Sequence, residues 1–397
     1  MIGSSRSQRD SLKRSHRMSP RLAVVINKDG SQLSPSETFL HAHINNLPYQ
    51  CFSLIGNPGY RVVREGSCGP GRYLASRALV PLASRWLTRH VMGVTVAAQD
   101  TRAFVKMLER DRIDVVLAEY GPTAVSVMEA CRLAGVPLVV HFHGYDAYMT
   151  HIIEEFGTQY RRLFDISSAI IGVSRHMCDQ LIRLGAPAEK VRFNACGAEV
   201  SQRKKPNDRK CGHRFAMIGR LVEKKAPFVS LMAFAQVSAS VPDATLEIVG
   251  DGPLTAATQQ MVRALGIEDK VTLHGAQSHD FVMAVLERSD YFLQHSVEAP
   301  NGDMEGTPVG VLEAMGLGLP VVSTRHGGIC DIISENETGI LVDEYDVEGM
   351  AQAMRCLCEN RELAIQMGEK ARKSVVDNWT SEKSIARLAE IIRFATC

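Results

Sequence analysis

The chain has 397 residues, 45% of them hydrophobic and 22% charged, with a formal net charge of +1. That length suits two domains of ordinary size, and the balanced charge excludes a global pull toward nucleic acid. With no run of about 18 apolar residues, a membrane span is not expected. Ten cysteines lie scattered without CxxC pairs, which reads as the reduced thiols of a cytoplasmic protein and not as a disulfide framework.

Residues 1–20 form a basic, serine-rich arm with Arg6, Arg9, Lys13, Arg14 and Arg17 and a single acid, Asp10. No apolar stretch follows, so a disordered arm is expected and a secretory signal is not. The first strand is expected at 22–26. The segment 33–44 (LSPSETFLHAHI) turns from loop to helix at Ser36, with Glu37 in its first turn. Helix capping and contact with an acceptor both account for it. Residues 71–90 carry Arg72, Arg77, Arg85 and Arg89 among Leu, Val and Trp86. Such a helix can lie on an anionic membrane surface, but its arginines spread over several faces and Pro81 interrupts it, which favours an ordinary packed helix.

Apolar runs at 115–117, 136–141 and 169–173 alternate with amphipathic segments such as 124–134. This pattern predicts a parallel sheet with helices on both faces. The run at 136–141 leads into HFHGYD (141–146), which sets polar tips at a strand's carboxyl end. His141 and His143 share one face if the strand extends through Phe142. Three uses stay open: hydrogen bonds to a sugar hydroxyl or diphosphate oxygen, a buried and satisfied histidine, or a zinc pair. For the last, no cysteine or third ligand lies at metal spacing.

Residues 201–213 (SQRKKPNDRKCGH) break the alternation and read as a linker. The pattern then restarts with runs at 215–218, 244–249, 271–273, 291–294 and 320–323, and the chain closes on an amphipathic helix over 381–395. Two doubly wound sheets in tandem would face each other across a cleft at the carboxyl ends of their strands, where such folds bind ligands.

Several motifs fall on that edge. In GRLVEKKAP (219–227), Gly219 relaxes the turn after a strand, and Arg220 and Lys225 can reach one spot beyond it. A guanidinium and an ammonium there would neutralise a diphosphate without a metal. In VGDGPL (249–254), Gly250 and Gly252 permit a tight turn and close backbone approach to a planar ligand, although a turn with no ligand looks the same. VTLHGAQ (271–277) puts a further glycine at the same edge. The most informative stretch is EGTPVGVLEAMGLG (305–318). Pro308 suits the first position of a helix, and the N–H groups from about Thr307 to Val311 would point outward, unpaired and partly positive. That is a place for an anion, and diphosphate is a common occupant. Glu305 in the loop and Glu313 in the helix would repel a diphosphate but accept hydrogen bonds from hydroxyls on either side of it. A molecule with hydroxyls, then phosphates, then hydroxyls is a nucleotide sugar.

These motifs, with GVSRHM (172–177) and GGICDII (327–333), stand in the order and spacing of family 4 of the retaining glycosyltransferases, which the chain resembles over most of its length. SETF and HFHGYD further resemble the branch that builds bacterial exopolysaccharides and lipopolysaccharide. The resemblance implies the GT-B fold, an α/β architecture of two Rossmann-like domains facing across a cleft. Residues 21–200 would form the acceptor domain and 214–378 the donor domain, with 379–397 packing back on the first. It further implies Arg220 and Lys225 on the donor diphosphate and Glu313 on the ribose hydroxyls. Glu305 would lie at the sugar ring, with the backbone of Gly306, Thr307, Pro308 and Val309 lining the donor and the N–H groups after Gly306 on sugar or phosphate. His143 would stand at the donor sugar, with His141 in reserve. The loop NKDGSQLSPSETF departs from the glycine pair many relatives carry there, which points to a different acceptor.

The expected reaction moves a sugar from a nucleoside diphosphate sugar to a hydroxyl of a glycan or lipid-linked glycan, with retention and without a metal or other cofactor. The expected place is the cytoplasm, with peripheral contact at the inner face of a membrane. No Asp-x-Asp metal pair sits on a recognisable cleft strand, so a chelator should leave activity in place. Lys225→Ala is expected to cut turnover while leaving the thermal midpoint nearly unchanged. The rival from another class is an inactive nucleotide-sugar-binding subunit of a polysaccharide assembly complex.

Overall fold

The computed structural model describes residues 20–26, 38–55, 60–65, 72–74, 96–200 and 212–396. The basic arm, Ser36 and Glu37, most of 71–90 and residues 201–211 of the linker lie outside them.

The first half builds β1 (Arg21–Ile26), α1 (Thr38–Asn46), β2 (Gln50–Ile55), β3 (Tyr60–Glu65), β4 (Arg72–Leu74), α2 (Val96–Arg110), β5 (Val115–Glu119), α3 (Gly121–Ala134), β6 (Leu138–Phe142), α4 (Tyr145–Tyr148), α5 (Thr150–Ile166), β7 (Ala169–Gly172), α6 (Arg175–Arg183) and β8 (Val191–Phe193). The second adds β9 (Arg214–Ile218), α7 (Pro227–Ser240), β10 (Thr245–Val249), α8 (Thr255–Ala264), β11 (Val271–Leu273), α9 (His279–Arg288), β12 (Tyr291–Gln294), α10 (Val309–Gly316), β13 (Val321–Thr324), α11 (Ile329–Ile332), β14 (Gly339–Val342), α12 (Val347–Glu359), α13 (Arg361–Asn378) and α14 (Ser381–Ala395).

The central strands β1, β5 and β6 are almost wholly apolar because both faces are covered, and β5 and β6 are buried at every residue. The first sheet has eight strands in the order β4-β3-β2-β1-β5-β6-β7-β8. The pairings from β2 to β8 are parallel, while β2–β3 and β3–β4 are antiparallel. This antiparallel edge is absent from the sequence reading. Arg72, expected in a helix over 71–90, instead begins β4.

The second sheet is parallel throughout, in the order β11-β10-β9-β12-β13-β14. The chain therefore steps outward from β9 in one direction, then returns to its other side with β12. That reversal opens a crevice between the loops leaving β9 and β12, where ligands settle in open α/β sheets. GRLVEKKAP leaves β9, and the chain from His295 to Pro308 leaves β12. Helix α14 crosses back: Ile385, Leu388 and Ile392 are buried among β1 and β5 residues of the first half.

Candidate active site

Gly219, Gly250 and Gly252 join two loops of the second domain. The Gly219 N–H donates to the Val249 carbonyl at 3.0 Å, and the Leu221 N–H to Asp251 O at 3.0 Å. A Cβ at Gly250 would lie 1.9 Å from the Gly219 carbonyl oxygen, and one at Gly252 2.4 Å from that of Leu221. The close approach at Gly250 and Gly252 is thus to the backbone of the loop that leaves β9. The chain then makes a short 3₁₀ turn over Glu223–Lys225 and enters α7.

That turn separates the two lysines. Lys225 Nζ lies 3.0 Å from Glu305 Oε1, within ion-pair distance though outside good hydrogen-bond alignment. Lys224 Nζ donates to Asp303 Oδ1 at 3.0 Å and to the Met304 carbonyl at 2.9 Å, fixing the loop that carries Glu305. Burial opposes charge on both partners of the pair. It draws Lys225 below its ordinary value despite Glu305, aided by the positive charges of Lys224 and Arg220. For Glu305 the neighbouring lysines override burial and hold the carboxyl at about 2. We take the pair as ionised, since each charge is the other's nearest compensation. Arg220 is exposed, and its guanidinium has no hydrogen bond or ion pair with any described residue.

Helix α10 begins one residue later than expected. Pro308 is its N-cap, not its first helical residue. The unpaired stretch is also shorter, because the Val311 N–H turns back to the Pro308 carbonyl at 3.0 Å. Val309 and Gly310, as the first two helical residues, have no carbonyl four positions back within the helix. Glu313 is buried and accepts a hydrogen bond from His279 Nε2 at 3.0 Å. That bond raises the imidazole's proton affinity. His279 opens α9 behind the Ser278 cap, and no sequence motif links it to Glu313.

On the first domain, HFHGYD does not simply present its histidines to the cleft. Glu119, fully buried, accepts from His43 Nδ1 at 2.7 Å and from His143 Nε2 at 2.7 Å. His141 Nδ1 is 3.5 Å from the same carboxylate, too far for a well-formed bond. Burial, then the neighbouring His141, lowers His143 to about 3, so its ring is neutral and Nε2 carries the proton toward Glu119. Asp146 accepts the N–H groups of Gly121, His143 and Gly144 at 2.9–3.0 Å and so holds the turn. The donor atoms of His43, Glu119 and His141 lie within 4.8 Å of one another. His141 thus meets two possible co-ligands from α1 and β5, His143 is not among the three, and both short hydrogen bonds already engage the Glu119 oxygens.

The two domains meet around Gly306. A Cβ there would lie 2.6 Å from both the His143 carbonyl oxygen and Val173 Cγ2. Thr307 Oγ1 donates to the Val173 carbonyl at 2.6 Å and accepts from the Cys196 N–H at 3.2 Å. The Arg175 N–H donates to Asp331 Oδ2 at 2.7 Å, joining GVSRHM to GGICDII. The fold thus gathers Lys225, Glu305 and Gly306, with Arg220 close enough to act on Lys225. It places His143 across the domain boundary and Glu313 one turn deeper. The Lys225–Glu305 pair thus sits at the loop that leads into α10, and Glu313 follows within that helix.

Residues 58–197 match the family described as "Glycosyl transferase 4-like domain", and 200–374 that of "Glycosyl transferases group 1". An amylovoran biosynthesis glycosyltransferase of Erwinia amylovora is 32% identical over 285 residues, 70% of each chain. A putative colanic acid biosynthesis glycosyltransferase of Escherichia coli is 29% identical over 289 residues, 71% of each chain. Among solved structures, Anabaena HepE in complex with UDP superposes with a TM-score of 0.69 at 18% identity, covering 94% of this chain and 98% of that one. Sucrose-phosphate synthase of Thermosynechococcus elongatus gives 0.71 at 15% identity, with 94% and 98% covered. Motif order, sheet topology and these relatives agree, and the chain belongs to glycosyltransferase family 4, with the GT-B fold and relatives in the exopolysaccharide branch.

Proposed function

We propose that the protein transfers a hexose from a nucleoside diphosphate sugar to a hydroxyl of a growing exopolysaccharide or its lipid-linked precursor, with retention and without a metal. The observation that carries this reading is the Lys225–Glu305 contact of 3.0 Å beside Arg220 and the start of α10. The barrier to such a transfer lies in separating a sugar cation from an anionic diphosphate. Arg220, Lys225 and the α10 N–H groups are suited to take up the leaving charge, and one such preorganised donor is worth about 3–4 kcal/mol of barrier. Glu305, kept ionised by its lysines, would accept a hydrogen bond from a sugar hydroxyl. Its ion pair makes it a poor nucleophile, so the departing phosphate oxygen would take the acceptor's proton while the acceptor oxygen bonds the anomeric carbon on the same face. Glu313 would hold the ribose hydroxyls, exchanging its His279 contact for them or keeping it alongside.

The complexes of Anabaena HepE with UDP and with UDP-glucose support the donor class. The names of the amylovoran and colanic acid relatives support the acceptor class. No described helix is long and apolar enough to cross a membrane. Work on a lipid-linked acceptor at the cytoplasmic face of a membrane belongs to the same proposal. Incubation with a panel of nucleotide sugars, followed by proton NMR of the product, tests the reading. An α-linked donor should give an α-linked product or slow α-sugar release. An inverted product, or no consumption of any donor, would contradict it.

A further inference from the structure

Glu305 is held by its backbone as well as by its lysines. Its N–H, buried with the residue, donates to His326 Nε2 at 3.2 Å. A backbone N–H can only donate, so Nε2 must offer its lone pair and the proton of the neutral ring must sit on Nδ1. Nδ1 faces Glu344 Oε1 at 2.6 Å, and the second oxygen of Glu344 accepts the Glu298 N–H at 3.0 Å. The imidazole has no exposed surface, so water cannot replace either contact. On its other side the Glu305 carbonyl accepts the Gly328 N–H at 3.4 Å, and a Cβ at Gly327 would come within 2.4 Å of that oxygen. The backbone of Glu305 is gripped from both ends by the segment that follows β13.

We infer that His326 is a positioning residue for the transfer: Glu344 locks its ring as the Nδ1–H tautomer, and Nε2 thereby fixes the Glu305 backbone and the point where its carboxylate meets Lys225 and the sugar. This rests on the proposed role of Glu305. The ring touches neither donor nor acceptor; it acts through the loop. With the other tautomer, two N–H groups would face each other and the loop would have to move. A shift of about 1 Å at such a group costs on the order of 100-fold in rate.

The test combines kinetics with nitrogen-15 NMR of the histidine rings. His326→Leu should lower kcat by about 100-fold while KM for the donor and the affinity for free nucleoside diphosphate hold. His326→Gln, whose amide oxygen can accept the Glu305 N–H, should recover most of the loss. The wild-type ring should appear as the Nδ1–H tautomer, and Glu344→Ala should shift it toward Nε2–H with a fall in kcat. Equal activity of the Leu and Gln variants, or a wild-type ring protonated on Nε2, would overturn the inference. If the Leu variant does not fold, the Glu344→Ala spectrum decides, and an unchanged tautomer counts against it. Glu305→Gln is the control. An inactive Glu305→Gln beside a fully active His326→Leu removes only this inference, whereas a fully active Glu305→Gln removes the reading beneath it as well.

Discussion

Lys224 and Lys225 are adjacent in the chain but differ in task. Lys224 is spent on Asp303 and Met304, while Lys225 faces Glu305 in the crevice. Because that contact is buried, Lys225→Ala leaves a carboxylate short of compensation, and breaking such a pair costs about 3–5 kcal/mol. The expectation of an unchanged thermal midpoint is therefore revised: Lys225→Ala should lose both turnover and stability. Lys225→Ala/Glu305→Gln should recover much of the stability and none of the turnover, which denaturant melts and donor assays would separate. The same pair sets an acid response. The Glu305 carboxyl falls from 4.5 to about 2 in the folded chain, so its contribution is full above 4.5 and lost as pH falls through about 2. Glu313→Gln keeps the shape but removes the charge that would grip two hydroxyls. Calorimetry with free nucleoside diphosphate should show affinity weakened by about 1.5–3 kcal/mol, and unchanged affinity would move the ribose elsewhere.

At the scale of elements, the loop from β12 to α10 carries most of the chemistry, and Gly306 is where it meets the first domain. Gly306→Ala would push a methyl group into the His143 carbonyl and Val173. The domains should part at that point, with kcat down by about 100-fold while each core stays folded. Small-angle scattering should show an expanded molecule, and unchanged scattering with full activity would contradict this. The strands that frame the loop were legible because their apolar runs are buried on both faces. Val271–Leu273 and Tyr291–Gln294 fall where the apolar pattern puts them. The edge strands β3 and β4 were not, since Tyr60–Glu65 mixes arginines with valines and Arg72–Leu74 is only three residues long. The motifs put Arg220, Lys225 and Glu305 in the segments that leave β9 and β12, and Glu313 within α10. Their partners were not visible: His279 lies 34 residues from Glu313, His326 lies 21 from Glu305, and Glu119 lies 76 from His43. Only the folded sheet brings them together.

For the whole molecule, α14 ties the end of the chain to its beginning. Leu388 is fully buried in the first domain's core, and the Tyr49 hydroxyl donates to the Ala389 carbonyl at 2.8 Å. Leu388→Ala should cost about 2–5 kcal/mol, with faster hydrogen exchange in β1 and β5 rather than in the second sheet. Exchange confined to the second sheet would deny the strap its role. The central claim is that one crevice, at the reversal point of the second sheet, holds the donor diphosphate between Arg220, Lys225 and the start of α10. A crystal structure with bound nucleoside diphosphate tests it most directly. Diphosphate oxygens within hydrogen-bond reach of Lys225, Arg220 and the Val309 or Gly310 N–H, with ribose on Glu313, are predicted. A nucleotide bound at any other place, or facing away from α10, would contradict the account.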